Sequence, residues 1–403
     1  MRRCSSLLAG LIIAAFACSS AEAPALRDIR DLLAPARGKQ VAELGPHGST
    51  PAFTEIKHKL RLWIESQLPE VRTARDARIL EHRVNTELRA AGISCDPHQK
   101  DCPRAEPGYL GPIKLEYGGL LVITTAVGIT CGFDESAYAY SFSKAHWRPV
   151  WQSETNDYVE GKYVPQNFLH ILLSPERERA GADPSSRLLL VLARDPAYCE
   201  SNWYNVYYRV WRVRIDRPEE QLILDGGEEA LLGTTVDGVV RPNDVLIEYS
   251  VRTAFTDFEV RRMVRHYIFN EGSSMREDPL ALRPRDFVDE WMRTDWATSS
   301  NWTSPRVDPL SLQRMHDEKD NFTGGDYAPA MRCEQRPEHW QVALVWTNFD
   351  GKEMVETKHI YFLVRWLAPY RFSMSGVSTQ PWSGCTEKDP ASDEPRTLFE
   401  HRQ

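Results

Sequence analysis

Beyond its first 23 residues, this chain has no apolar run near the roughly 20 residues that a helix needs to cross a bilayer. The nucleophile elbow G-x-S-x-G, the phosphate loop G-x-x-x-x-G-K-[ST] and the zinc-protease pattern H-E-x-x-H are all missing. That removes the motif-level grounds for an α/β-hydrolase, a P-loop NTPase or a zincin. There is no C-x-x-C and no His-x-His pair, and Cys95 and Cys102 are too far apart for a usual zinc knuckle. Excess positive charge is missing too. The formal net charge is −8, and arginines are interleaved with acids, which argues against a nucleic-acid partner and an anionic membrane surface.

The start of the chain does carry a signal. Arg2 and Arg3 precede an apolar run from Leu7 to Ala17, and Ala21-Glu22-Ala23 puts small residues at alternate positions. This is the pattern of an export signal cleaved after Ala23. It predicts a periplasmic or secreted protein with no transmembrane segment. Lipid anchoring at Cys18 is disfavoured, because Phe16 and Ala15 depart from the small-residue and leucine pattern of a lipoprotein signal. Two of the 8 cysteines, Cys4 and Cys18, fall in the leader. The others predict three disulfides in an oxidising compartment: Cys95–Cys102, Cys131–Cys199 and Cys333–Cys385.

At 403 residues, 42% hydrophobic and 26% charged, the chain is an ordinary globular protein long enough for several units. Residues 1–23 read as the signal peptide and 24–112 as a helical segment. Residues 113–276 read as a domain of β modules and 277–403 as an α+β segment. Residues 24–50 read as a loose, Pro- and Gly-punctuated wrap. Phe53, Ile56, Leu60, Trp63 and Ile64 then form one helical stripe, and Ala77, Leu80, Val84, Leu88 and Ala91 a second, stopped by Gly92. Three strand modules follow, at 120–151, 188–224 and 245–269. Each has an apolar strand, a polar turn and an aromatic, Arg-rich strand. Their spacing exceeds the roughly 40–50 residues of ordinary propeller blades. After them come helices near 284–292 and 310–319, a hairpin of 340–347 with 359–366 around Asp350-Gly351, a strand at 371–374 and a polar tail. The fold class is mainly β: antiparallel modules in a propeller-like stack, with a β-sandwich as the alternative, an N-terminal helical hairpin and a C-terminal α+β part.

Candidate sites are few. His316 reads as a solvated helix residue, and Asp286, Asp289 and Glu290 as acids on a solvated helix face near its N-terminus. The module turns hold Asp134 and Glu135, Asp195 and Glu200, and Asp257 and Glu259, with Trp203 and Tyr204 beside the second. If the modules stack side by side, these residues gather at one end as a ligand-binding cluster. No cofactor is implied, although clustered carboxylates would suit calcium or a shared proton. Two functions follow. The first is an exported, disulfide-stabilised binding or scaffolding protein without catalysis, serving an unidentified extracellular ligand or protein. The alternative is an extracellular hydrolase acting on saccharide-like substrates through the turn carboxylates. The sequons at Asn301 and Asn321 matter only in a host that glycosylates.

Overall fold

The computed structural model describes residues 23–39, 52–94, 107–130, 132–155, 165–175, 185–195, 203–231, 236–253, 260–270, 273–277, 280–305, 307–321, 324–350 and 353–388. Three helices open the fold: α1 (Pro24–Leu33), α2 (Ala52–Glu65) and α3 (Ala74–Ala90). The loose wrap expected over 24–50 is corrected at its start. Pro24 occupies the first helical turn, and Leu26, Ile29 and Leu33 recur at helical spacing and are buried. Thr73 caps α3 through a reciprocal box with Asp76, and Gly92 ends that chain direction at φ +67°.

The first sheet is a meander of β1 (Lys114–Tyr117), β2 (Leu121–Ile129), β3 (Gly132–Ser143) and β4 (His146–Ser153), antiparallel throughout. Adjacent residues of a strand face opposite sides, and both sides of this sheet are buried. Tyr138 and Tyr140 join Leu121, Ile123 and the three helices in one core. Ala137 and Ala139 face the second sheet, which comprises β5 (Asn167–Leu173), β6 (Ser186–Arg194), β7 (Trp203–Arg214) and β8 (Glu220–Leu231). The unbroken apolar run in β6 follows from the same geometry. Leu189, Val191 and Ala193 pack toward the first sheet, and Leu188, Leu190 and Leu192 toward the third. The third sheet holds β9 (Asp237–Val240), β10 (Asp244–Arg252), β11 (Val260–Asn270) and β12 (Ser273–Glu277). Helices and three sheets therefore form successive layers.

The C-terminal part has α4 (Pro284–Arg293), α5 (Trp296–Ser299) and α6 (Pro309–Asp317). They accompany a six-stranded sheet of β13 (Gly324–Tyr327), β14 (Met331–Cys333), β15 (Arg336–Asp350), β16 (Glu353–Ala368), β17 (Arg371–Ser378) and β18 (Cys385–Lys388). Its order is β17-β16-β15-β14-β18, with β13 also on β15. Phe287, Trp291 and Met292 of α4 share a core with Val342, Leu344, Trp346 and Phe362. Cys333 and Cys385 face each other across β14 and β18 and are disulfide-bonded, as the sequence led us to expect. Cys95, Cys102, Cys131 and Cys199, with the two pairings expected of them, lie outside the described residues, as do residues 1–22 of the leader.

The protein is mainly β with antiparallel sheets, and its modules are four-stranded where the sequence suggested two or three. The module strands not anticipated are β1, β5, β9 and β12, three of which have five residues or fewer; β13, β14 and β18 of the fourth sheet were not anticipated either. Among the described residues no helix is long and apolar enough to cross a membrane.

Candidate functional site

The third and fourth sheets meet at a groove of about 470 Å³, within the usual size range of ligand clefts. One wall is the edge strand β12, contributing Met275, Arg276 and Glu277. The opposite wall is the edge strand β17 with the end of β16, contributing Arg365, Leu367, Arg371, Phe372 and Ser373. Leu280, Trp302 and Phe372 are buried at its base, whereas Met275 and Leu367 are more than half exposed at its rim.

Local backbone features set these positions. The register between β16 and β17 shifts between Trp366 and Ala368. Such a bulge leaves one residue out of the ladder, and Leu367 is that residue. The β16–β17 corner turns through Tyr370 at φ +64°. Its carbonyl accepts the Ala281 amide at 2.9 Å, and its side chain packs against Leu246 and Val264 of the third sheet. This anchor brings Arg371 to Glu277, with which it forms an ion pair. Residues 303 and 304 cover part of the β17 edge, where the Ser304 amide donates to the Met374 carbonyl at 2.8 Å.

Behind the groove, α4 ties the third and fourth sheets together with buried charge. Arg261 lies 2.5 Å from Asp289 and 2.6 Å from Glu290, and Arg265 lies 3.1 Å from both Glu290 and Glu228. Arg283 grips Asp286 through two nitrogens at 2.8 Å. The solvated helix face expected for Asp286, Asp289 and Glu290 is therefore corrected: these acids are 0%, 0% and 6% exposed. Burial alone would push the Glu290 carboxyl up, but Arg261 and Arg265 outweigh it and hold it at about 2. The expectation for His316 is corrected likewise. It is buried beside Trp291 and Trp296, with Nε2 2.8 Å from the Thr294 carbonyl. Burial, then the Lys319 charge, lowers its pKa below 6.5.

The turn carboxylates are placed as follows. Asp134 is buried on the helix side of β3, 2.5 Å from the Lys57 ammonium of α2. Glu135 points to the other side, where one oxygen accepts the Phe168 amide at 2.6 Å and burial raises its pKa. These neighbours therefore do not face a common cleft. Asp195 is buried at the end of β6 and accepts from Asn205 Nδ2 at 2.7 Å. Tyr204 is in the core between the second and third sheets, with the Arg194 guanidinium 5.2 Å from its ring centre. The first two modules do meet at this end, since Asn167 Nδ2 donates to the Phe133 carbonyl at 2.8 Å. Glu200, Asp257 and Glu259, and the Trp203 side chain, lie outside the described residues. Among the described residues no group of three or more His, Cys, Asp or Glu is placed to hold a metal ion.

The groove arginines escaped sequence reasoning because they come from strands about a hundred positions apart. The one local signal was basic residues beside exposed apolar ones, as in Met275-Arg276 and Arg365-Trp366-Leu367. No known family model matches this chain, and no curated protein is similar to it.

Proposed function

We propose that the chain is an exported, disulfide-stapled binding protein without catalysis. In this reading its recognition surface is the groove between the third and fourth sheets, and its partner is an extended acidic segment of another protein. The observation that carries it is the gathering of Arg276, Arg365 and Arg371 around one groove in a chain of net charge −8. Glu277 is the one acid lining that groove, and among the described residues Arg365 forms no ion pair. The edge strand β12, and the part of the β17 edge that residues 303 and 304 leave uncovered, favour a polypeptide over a compact anion. Their outward backbone groups can add to an extended chain, and Met275 and Leu367 offer contacts for alternate apolar side chains. Asp134, Glu135 and Asp195 serve here as structural carboxylates at the joints between modules. The three consecutive four-stranded meanders favour a propeller-like stack over a two-sheet sandwich. Export rests on the leader and agrees with the Cys333–Cys385 bridge.

Fluorescence anisotropy tests the groove, with a rhodamine-labelled peptide alternating Glu and Leu. We expect saturable binding, weakened about tenfold in R365Q/R371Q, which removes two charges the ligand would meet. Equal binding of a matched peptide alternating Lys and Leu, or unchanged binding by the double variant, overturns the reading. Preferential binding of a single-stranded oligonucleotide would point to nucleic acid instead. Hydrolysis of a saccharide that is lost in E135Q would restore the enzymatic alternative.

A further inference from the structure

The one acid in the groove is shared. The Glu277 carboxylate meets Arg371, and its Oε2 lies 2.5 Å from His266 Nδ1 on the neighbouring strand β11. The other ring nitrogen, Nε2, lies 3.2 Å from Asp244 Oδ1. A neutral imidazole carries a single N–H, so it can donate to only one of these carboxylates and must point a lone pair at the other. The imidazolium donates to both. The arrangement is therefore built around the charged form.

We infer that His266 is a proton-operated latch on the groove: as imidazolium it neutralises Glu277, and on losing its proton it leaves that carboxylate to Arg371, so that acidic ligands bind more tightly to the protonated protein. The inference rests on the reading of the groove as an acidic-segment site.

The surrounding charges support a switch of this kind. From β10 and the turn before it come Asp244, paired with Arg241 at 3.1 Å, and Glu248, paired with Arg262 of β11. From β12 comes Glu277, and from the fourth sheet Arg371, with the Tyr370 phenol near Glu248 and Arg241. These acids and arginines balance three against three. The proton on His266 thus moves the local sum from neutral to positive beside the ligand's path. The Asp244 hydrogen bond raises the imidazole pKa above 6.5; burial opposes it, and Glu277 adds to it. Removal of the proton therefore falls above 6.5. Linkage is reciprocal: an anion engaging Arg371 draws that cation off Glu277 and tightens the hold on the His266 proton.

Two measurements on the full mature chain test the latch. The first is NMR titration of ring-labelled histidine. R371Q should raise the His266 midpoint by about 0.5 unit, because Glu277 loses its competing cation, and E277Q should lower it. The second is the anisotropy assay run from pH 6 to pH 9. Affinity for the Glu–Leu peptide should fall about three- to fivefold as His266 deprotonates, the size expected for a partly exposed charge. H266Q should flatten that profile. A His266 midpoint unmoved by R371Q overturns the latch, and so does a pH profile that H266Q leaves intact. Absence of peptide binding at every pH would instead retire the acidic-segment reading, and the latch would still stand or fall by the R371Q shift.

Discussion

Lys57 and Asp134 are both fully buried and 2.5 Å apart, and the ammonium also donates to the Thr155 carbonyl at 2.7 Å. A buried pair of this kind gains little over well-packed apolar residues, but losing one partner leaves the other charge in a poor solvent. Asp134→Asn should therefore cost about 3–5 kcal/mol in guanidinium unfolding, and K57M/D134L far less. Similar losses in both variants would mean that the site depends on shape more than on charge compensation. The residue scale also marks where sequence reasoning stops. Asp134 and Glu135 were legible as neighbouring acids next to a turn. Whether such acids face a ligand depends on which side of the strand each takes and on what packs there. The partner of Asp134 sits on a helix far earlier in the chain, and no local pattern announces it.

Among elements, strong periodicity was readable and weak periodicity was not. The stripes of α2 and α3 and the continuous Leu-rich strand β6 all state their burial in their own residues. The outer strands β1, β9 and β12 do not, because a short strand on a sheet edge draws its order from its neighbour. The acids of α4 misled for a related reason. A helix face of Asp and Glu looks solvated until Arg261 and Arg265 of another sheet are brought against it. Close packing between strands makes a further test. Gly226 on β8 lies beneath the Tyr208 ring, where a Cβ would come within 2.3 Å of Cε2. The same tyrosine contacts Tyr249 and donates to or accepts from the Tyr267 hydroxyl at 3.1 Å. Gly226→Ala must displace that ring from the core between the second and third sheets. We expect a loss of about 1–3 kcal/mol, with a near-ultraviolet circular dichroism change from the tyrosines. An unchanged unfolding midpoint would mean that β8 can shift to absorb the methyl group.

For the whole molecule, the first and second sheets bury both faces, whereas the fourth packs one face on α4 and leaves His359 and Arg365 exposed on the other, so layers are lost more easily from that end than from the middle. The last layer carries the staple. The Cys333–Cys385 bridge spans 52 residues, enclosing β15, β16 and β17 and with them one wall of the groove. Chain-entropy reasoning for a loop of that size gives about 4 kcal/mol of stabilisation, as an upper estimate. C333A/C385A should approach that loss in denaturant unfolding, and Cys333→Ala alone should match it, since either change opens the same loop. The bridge also fixes β18 against β14, on the side of the sheet away from β17. The R365Q/R371Q and C333A/C385A effects on peptide affinity should then separate. The arginine variant weakens binding in a folded protein, whereas the cysteine variant binds normally until its fourth sheet opens. Hydrogen exchange would show this directly, with faster exchange in 331–388 than in β2, β3 and β6 once the bridge is gone. Equal acceleration across all four sheets would mean that the stack unfolds as one unit and that the bridge stabilises the whole molecule.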